Sequence, residues 1–339
     1  MIIDCAHYKD GLRQDSGSMA LDEAAKRCHQ GGFVWLGLFE PTADELNQVK
    51  EQFDLHELAV EDAQTFHLRP KVEQYDGSVY LVILRTARYD DGREEVDFGE
   101  ISLFVGPNFV ITVRQGVASE LHGARARLEH RPELLKEGPV SALWAILDQV
   151  VDSYVPVVAE LERDIGEVEA TVFSGAVAPT ERIYFLRREV TDFYRAVHPL
   201  LSVLAMNERL VRETGLVPYF RDVRDHLLLV NEEVAAHRDL LTTVLEANIA
   251  VISVAQTKVS VRQNATMEQL TRLSTIFLPL TFVTGFFGQN FGWLVQHINS
   301  EAEFWWMGLG GLLVPAVVLY LWFRREVARR QEVSDRVLE

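Results

Sequence analysis

The chain has 339 residues and a formal net charge of −17, which argues against a nucleic-acid partner because phosphates attract clustered Lys and Arg. Its two cysteines, Cys5 and Cys28, have no CxxC or Cys/His spacing, so neither a disulfide framework nor a structural zinc site is predicted. The first residues lack the basic region and apolar run of a signal peptide. We expect the bulk of the chain to lie in the cytosol.

An α/β domain with a mixed sheet is predicted for residues 1–135. The apolar run Phe33–Leu38 predicts a buried strand, and a helix is expected soon after it. Thr42 is a suitable N-cap for that helix, because Glu45 follows three residues later and the pair can form a capping box.

Further strands are predicted later in the same domain. Val79–Ala87 has the composition of a strand, and Ile101–Val105 and Phe109–Val113 flank a Gly-Pro-Asn turn that is typical of a hairpin. Strand signals stop at about Ser119. The sheet is therefore expected to end before a helical part of the cytosolic domain, which is predicted over residues 136–216.

Helical periodicity continues from that part into a much longer element. Residues 140–173 and 180–213 are amphipathic, and from Tyr219 the chain has no Gly or Pro until Pro279. A continuous helix of this length would measure about 100 Å, too long to pack inside its own globule. We predict a stalk helix that continues into the first membrane span, over residues 217–290. Its apolar seam advances by three, four or seven residues: Leu227, Val230, Val234, Leu241, Val244 and Val251.

Two uncharged segments near the C-terminus predict a membrane hairpin. No Asp, Glu, Lys or Arg occurs from Leu273 to Ser300 or from Phe304 to Phe323. A hydrocarbon core of about 30 Å needs about 20 helical residues. The second segment is long enough alone, and the first is long enough when Arg272 snorkels. The second membrane helix is predicted over residues 304–324.

Basic residues predict the orientation of this hairpin. The loop between the spans, residues 291–303, has no Lys or Arg and is predicted to be extracytoplasmic. Arg262 and Arg272 precede the first span, and the tail, residues 325–339, is rich in arginine. The positive-inside rule then predicts a multi-pass protein of the plasma (inner) membrane with both termini in the cytosol.

Small and polar residues follow one face of the first span. Alternate steps of three and four residues define a stripe, and six of its eight members are small or polar: Asn264, Met267, Thr271, Ser274, Leu278, Thr281, Gly285 and Gly288. Small residues can let two membrane helices pack closely. The alternative is a pore face shared among identical subunits, because two helices from one chain cannot enclose a channel.

The end of the first span resembles the CorA family of divalent cation transporters. Residues 284–291 read Thr-Gly-Phe-Phe-Gly-Gln-Asn-Phe, and the family signature is Gly-Met-Asn after an aromatic and glycine-containing stretch. The resemblance extends over nearly the whole chain. Further blocks match in order: Glu61-Asp62, Arg69–Glu73, Pro218–Val223 and Thr275–Phe282.

The resemblance implies a funnel-shaped homopentamer in a lipid bilayer, with the stripe of each first span lining a central pore. It implies an outer ring made by Asn290 and the Gly288 carbonyl, apolar constrictions at Met267 and Leu278, and Asn264 at the cytosolic mouth. Neutral oxygens suit Mg²⁺, which gives up its water reluctantly and can be held through that water. Taken alone, Asn290 is also a reasonable helix C-cap.

The sequence departs from the signature at Gln289, where the family usually has Met. Gln289 adds hydrogen-bonding capacity to the pore lining, so zinc, cobalt or nickel stays open as the transported ion. The outer loop offers His297, Glu301 and Glu303, which could attract cations or simply form a solvated turn.

By alignment to the regulatory metal sites of the family, four cytosolic carboxylates become candidate magnesium ligands. Glu61 and Asp62 of one subunit would face Asp222 of a neighbour, with Asp148 nearby. Hard oxygen ligands suit Mg²⁺, although a chain with 50 acidic residues offers many carboxylates.

The predicted function is transport of a divalent cation, most simply Mg²⁺, by a channel or transporter that cytosolic Mg²⁺ closes. No P-loop, GxSxG, HExxH or GxGxxG pattern occurs in a fitting context, so we predict neither an enzyme nor an organic cofactor. A membrane-anchored sensor without transport activity is the alternative from another class. It would leave the hydroxylated stripe unexplained.

Overall fold

The computed structural model describes residues 1–337 apart from residues 16–18, 76, 117–120, 176–177, 213, 290 and 298–299. Within the described range, it describes the backbone but not the side chains of residues 122, 207–210, 294, 323 and 326–337. In the described chain, seven strands form one sheet in the order β2-β1-β3-β7-β6-β5-β4. The strands are β1 (Ile2–Lys9), β2 (Leu12–Arg13), β3 (Phe33–Phe39), β4 (Lys71–Tyr75), β5 (Val79–Asp90), β6 (Glu95–Val105) and β7 (Phe109–Gln115).

Twelve α-helices are assigned over the same described residues. They are α1 (Leu21–Arg27), α2 (Ala43–Phe53), α3 (Glu57–Gln64), α4 (His122–Glu129), α5 (Pro132–Leu135), α6 (Pro139–Phe173), α7 (Thr180–Val197), α8 (Leu200–Val211), α9 (Val217–Phe287), α10 (Gly292–His297), α11 (Glu301–Glu303) and α12 (Gly310–Val337). A 3₁₀ turn, Cys28–Gln30, follows α1, and a π-helical segment, Phe304–Leu309, precedes α12.

The sheet is mixed, as predicted. Strand β3 pairs in parallel with β7, whereas its other neighbour, β1, and the β7-β6-β5-β4 series pair antiparallel. Strand β3 is apolar on both faces because both are covered: Val34 and Leu36 pack into one core cluster, and Phe33 and Trp35 into the other. The α/β fold class predicted from sequence is confirmed.

Two local signals in the sequence form as predicted. Thr42 and Glu45 make a capping box at the start of α2, with the Glu45 amide 3.3 Å from Thr42 Oγ1 and the Thr42 amide 2.8 Å from Glu45 Oε2. The β6–β7 hairpin closes through a hydrogen bond of 3.0 Å from the Gly106 amide to the Phe109 carbonyl. A Cβ at Gly106 would lie 2.5 Å from the Phe109 ring, so the turn needs glycine there.

The buried fraction of each apolar helix distinguishes a core helix from the two helices that are predicted to span a membrane. By length and composition, α6, α9 and Glu301–Trp322 could each cross a membrane. In α6, 61% of the most apolar window is buried inside the protein, against 17% in α9 and none in Glu301–Trp322. Helix α6 therefore places its apolar side chains in the core that it shares with the sheet, which leaves the two spans predicted from sequence.

The region with helical periodicity over residues 180–213 contains two helices. Helix α7 ends at Val197 and α8 begins at Leu200. Pro199 between them has no amide hydrogen to donate to the Arg195 carbonyl, so the helical hydrogen-bond series is interrupted there, although His198 and Pro199 keep right-handed helical dihedral angles.

The predicted long helix is confirmed as α9, 71 continuous residues from Val217 to Phe287. The chain divides into two compact units at Val251, inside this helix. Five of the six predicted seam residues are fully buried in the first unit, and Val251 packs against the same core at its margin. Beyond it, no residue of α9 is classed as buried.

Candidate functional site

The predicted stripe lies entirely on the surface of the second unit. All eight of its positions, from Asn264 to Gly288, are exposed. The exposed fraction is 66% for Met267 and 74% for Leu278, whereas the bulky residues Ile276 and Leu280 are partly covered. A single chain therefore leaves the small and hydroxylated face of α9, which runs into the uncharged residues 273–287, without cover.

Part of the stripe lines one shallow groove on α9. Four stripe members, Met267, Thr271, Ser274 and Leu278, border it. Sequence stepping from Asn264 missed the other residues that line the groove, which are Leu270, Thr275 and Pro279. Thr275 is adjacent to Ser274 and one turn from Thr271, so a wider helical arc would have included it.

Threonine hydroxyls in this segment bond back to their own helix. Thr271 donates to the Met267 carbonyl at 2.8 Å, Thr275 to the Thr271 carbonyl at 2.7 Å, and Thr281 to the Phe277 carbonyl at 2.8 Å. These bonds satisfy the hydroxyl hydrogens in an apolar setting. Each hydroxyl oxygen retains lone pairs that can accept hydrogen bonds from water on the exposed face.

The predicted outer mouth follows the end of α9. The Gly288 amide donates to the Thr284 carbonyl at 2.9 Å, and the Gln289 amide donates to the Phe286 carbonyl at 3.3 Å. A Cβ at Gly288 would lie 3.0 Å from the Thr284 carbonyl oxygen, so this closing turn favours glycine. Gln289 is exposed, and Asn290 lies outside the described residues.

The acidic residues of the outer loop differ in their roles. Glu303 forms a capping box with Ser300 at the start of α11, with hydrogen bonds of 3.1 and 3.2 Å. His297 stacks on Trp293 with ring centroids 4.6 Å apart, and its Nδ1 lies 2.9 Å from the Trp293 carbonyl. Glu303 therefore has a local structural role, which favours a turn over a cation-attracting site.

The first pair of cytosolic candidates lies on α3. Glu61 is exposed, whereas Asp62 is held by neighbours within the chain. Lys71 Nζ donates to Asp62 Oδ2 at 2.7 Å, and His67 Nε2 lies 3.7 Å from Asp62 Oδ1. The hydrogen bond to Asp62 raises the pKa of Lys71 against the opposing effect of burial. Asp62 is thus already neutralised by an ammonium group, a partner that sequence reasoning did not identify.

The second pair comes together between α6 and α9. Burial raises the pKa of Asp148 above its ordinary value, and the negative charges of Asp152 and Asp222 raise it further. Arg127 Nη1 lies 3.4 Å from Asp148 Oδ2 and opposes this effect. The negative charge of Asp222 therefore acts on Asp148, although less strongly than that of Asp152, and shared binding of a cation by the pair stays a prediction.

In the described part of one chain, no group of three or more His, Cys, Asp or Glu is arranged to hold a metal ion. The four predicted carboxylates lie in two places: Asp62 beside Lys71, and Asp148 beside Asp222. A complete cation site built from them needs a second subunit.

Comparison with known proteins identifies the family of the chain. The profile of the family described as CorA-like Mg2+ transporter protein matches residues 30–325. YfjQ of Bacillus subtilis (strain 168) is 31% identical over 299 residues, covering 86% of this chain and 88% of that protein. The cobalt/magnesium transport protein CorA of Thermotoga maritima is 28% identical over 291 residues, covering 84% of this chain and 79% of that protein.

Solved structures show the same fold. The complete structure of the CorA magnesium transporter from Methanocaldococcus jannaschii superposes with a TM-score of 0.60 at 19% identity, covering 96% of this chain and 98% of that one. The full-length CmaX protein superposes with a TM-score of 0.59 at 19% identity, covering 96% of this chain and 97% of that one. The chain belongs to the CorA-like Mg2+ transporter family, a family of transporters and not of enzymes.

Proposed function

We propose that this protein carries Mg²⁺ across the plasma membrane through a pore lined by α9 from five identical subunits. The observation that carries the proposal is the exposed, hydroxylated stripe that runs into the uncharged end, residues 273–287, of a 71-residue helix. A membrane anchor needs only apolar side chains, so a sensor function gives no reason for this stripe.

Exposure of the second unit supports a membrane and an oligomer together. Large apolar side chains are uncovered along the whole segment, including Phe282 at 73% and Trp306 at 82%. Lipid can cover these bulky groups, but it cannot solvate the serine and threonine oxygens of the stripe. An assembly in which stripes face one another around water satisfies both surfaces at once. Both termini would then lie in the cytosol, following the arginines.

The chemistry of the stripe suits a hydrated divalent ion. Hydroxyl, amide and carbonyl oxygens can accept hydrogen bonds from the water around Mg²⁺, which is removed only at high cost. A ring of carboxylates would bind the ion more tightly and release it more slowly. We assign the outer mouth to the Gly288 carbonyl and Asn290, and the apolar constrictions to Met267 and Leu278.

Regulation by cytosolic Mg²⁺ is the second part of the proposal. Asp148 and Asp222 repel each other within one chain, and a divalent cation between subunits would cancel that repulsion. Bound cations would favour the assembled, closed state by their differential affinity for it. Glu61 and Asp62 would complete the site from the neighbouring subunit, with Asp62 exchanging Lys71 for the metal.

The test is flux in a reconstituted system. Purified full-length protein would be placed in liposomes that contain a magnesium-sensitive dye, under an inside-negative potential. A divalent ion gains about 4.6 kcal/mol per 100 mV on entry, so uptake should increase with the applied potential. Parallel measurements with Co²⁺, Ni²⁺ and Zn²⁺ determine ion preference, and native mass spectrometry determines the number of subunits. A monomer, or liposomes as impermeable as protein-free ones, would refute the pore.

A further inference from the structure

A proline in the first span leaves one backbone carbonyl without its helical partner. In an α-helix each carbonyl accepts the amide hydrogen four residues later. The residue four positions after Thr275 is Pro279, which has no amide hydrogen, and α9 nevertheless continues through it to Phe287. The Thr275 carbonyl therefore lacks the donor that a regular helix would supply.

Side chains of the same helix cannot replace that donor. A helical Ser or Thr hydroxyl reaches the carbonyl three or four residues before it. Thr275 could thus be reached only from positions 278 and 279, which are Leu278 and Pro279. The hydroxyl of Thr275 itself donates to the Thr271 carbonyl at 2.7 Å, so it is directed toward the preceding turn.

The residue that carries the freed carbonyl borders the groove described above. Thr275 and Pro279 line that groove together with Thr271 and Ser274, which supply two hydroxyl groups. A carbonyl without a partner is costly in lipid, and such backbone groups are tolerated at membrane depth where they line a water-filled cavity. The groove is lined mainly by apolar side chains, and the hydroxyl groups of Thr271 and Ser274 make its polar part the place where water can reach this oxygen.

A second proline provides the contrast. Pro315 lies inside α12 and removes the donor for the Gly311 carbonyl in the same way. The residues that follow Gly311 are Leu312, Leu313 and Val314, and Gly310 precedes it. Paired glycines permit close approach of another helix, which can cover a carbonyl without water. Only the Thr275 carbonyl coincides with hydroxyl groups on a groove.

We infer that the Thr275 carbonyl, released by Pro279, faces the aqueous path and accepts hydrogen bonds from the water shell of the passing cation. In its ion-binding role this inference rests on the proposed transport function, and it adds a binding group that the stripe alone does not contain. Five such oxygens, one from each subunit, would form a ring just beyond the Ser274 level. Fixed neutral dipoles of this kind hold a hydrated cation without trapping it.

The experiment compares Pro279→Ala with Pro315→Ala in the reconstituted full-length protein. Alanine at position 279 restores the amide donor to the Thr275 carbonyl and improves helix propensity, so thermal stability should be retained or increased. Mg²⁺ flux should fall by at least about tenfold, because the net loss of even one hydrogen bond to the water shell of the ion has an effect of about that size. Pro315→Ala should keep flux within twofold of wild type. Equal flux in Pro279→Ala and wild type would overturn the inference.

A second measurement tests which face of α9 is accessible to water, and it does not depend on transport activity. Thr275→Cys and Leu273→Cys place a thiol at similar depth on nearly opposite sides of α9. In lipid nanodiscs, a charged methanethiosulfonate reagent should modify Thr275→Cys and leave Leu273→Cys unmodified. The native Cys5 and Cys28 are buried, at 0% and 5% exposure, and give little background. If the wild type carries no ions, the proposed transport function fails. An unreactive Thr275→Cys would overturn the assignment of this face to water.

Discussion

Two halves of one helix show how the same periodicity serves different surroundings. In Val217–Val251, apolar side chains at steps of three, four and seven are buried in a core shared with the sheet and α6. In Ile252–Phe287, a stripe with similar spacing carries small and hydroxylated residues and is exposed. The first half is completed by its own chain, whereas the second half requires lipid and further copies. Substitutions in the two halves should therefore fail in different ways.

The largest difference is expected from a charge in the stripe. Thr281→Arg places a bulky cation in the proposed lumen, where five copies would repel divalent ions and obstruct their path. Mg²⁺ flux in liposomes should fall to the protein-free background, while native mass spectrometry still finds the wild-type oligomer. Dissociation of Thr281→Arg into monomers would instead identify the stripe as a helix-packing surface. Thr243→Arg, at an exposed position in the first half, is the matched control and should transport normally.

Replacing a leucine by alanine should lower the stability of the protein more in the first half of α9 than in the second half. Leu227 is fully buried in the first half, so Leu227→Ala should cost about 2–5 kcal/mol and lower the Tm by at least about 4 °C. Leu270 in the second half is 60% exposed, and Leu270→Ala should cost less than about 0.5 kcal/mol. Thermal unfolding of both full-length variants in detergent measures the contrast. Comparable losses of Tm would mean that subunit packing buries Leu270 as firmly as the core buries Leu227.

The proposed magnesium control lies in the first unit, with Asp222 in the first half of α9 and Asp62 on α3. Asp62→Asn combined with Asp222→Asn removes two proposed ligands, so millimolar Mg²⁺ should protect α9 from protease less than in wild type. The channel should also remain active at high cytosolic Mg²⁺. A control with the same change of charge is Asp44→Asn combined with Asp225→Asn, two exposed carboxylates outside the proposed sites. Identical protection curves for all three proteins would assign these carboxylates to ordinary surface charge.

The smallest expected effect concerns a carboxylate in the first unit. Burial raises the pKa of Glu189 to about 7, although its carboxylate accepts a hydrogen bond from the Val96 amide at 3.3 Å. The folded state therefore binds this proton more tightly than the unfolded chain, and stability falls as the pH rises from about 4.5 to about 7. Because the group is partly exposed, the loss should reach only about 1–2 kcal/mol.

Glu189→Gln removes that ionisation and should raise the Tm at pH 8 more than at pH 5. The exposed Glu181→Gln on the same helix should change both values little. Equal shifts of Tm at the two pH values would show that Glu189 ionises as freely in the folded protein as in the unfolded chain.

The sequence predicted those parts of the fold that depend on contacts between residues close together in the chain. The capping box at Thr42, the Gly106 hairpin and the uninterrupted α9 all depend on residues near one another in sequence, and all are confirmed. The edge strands β2 and β4, and β1 beside β2, were missed. Strand β1 mixes buried and charged residues, so its strand character depends on pairing with β3 instead of on its own pattern.

Only the part of the candidate site that lies on one face of α9 could be predicted from the sequence. The stripe follows from the spacing of its residues along the helix. Thr275 and Leu270 fall outside a strict alternation of three and four residues, and only the groove in the folded helix identifies them as neighbours of the stripe. The partnership of Asp62 with Lys71 and the proximity of Asp148 to Asp222 depend on tertiary packing. No local pattern encodes those contacts. The pairing of carboxylates across subunits stays a prediction.

The continuous backbone of α9 has a mechanical consequence. The 36 residues beyond Val251 extend for about 54 Å at 1.5 Å per residue. A tilt of about 3° at the base of such a rod displaces its far end by about 3 Å, roughly the diameter of a water molecule. Small adjustments in side-chain packing near Val251 would thus be amplified, as by a lever arm, into a change as wide as a permeating molecule. An interrupted helix would absorb the same tilt at its break.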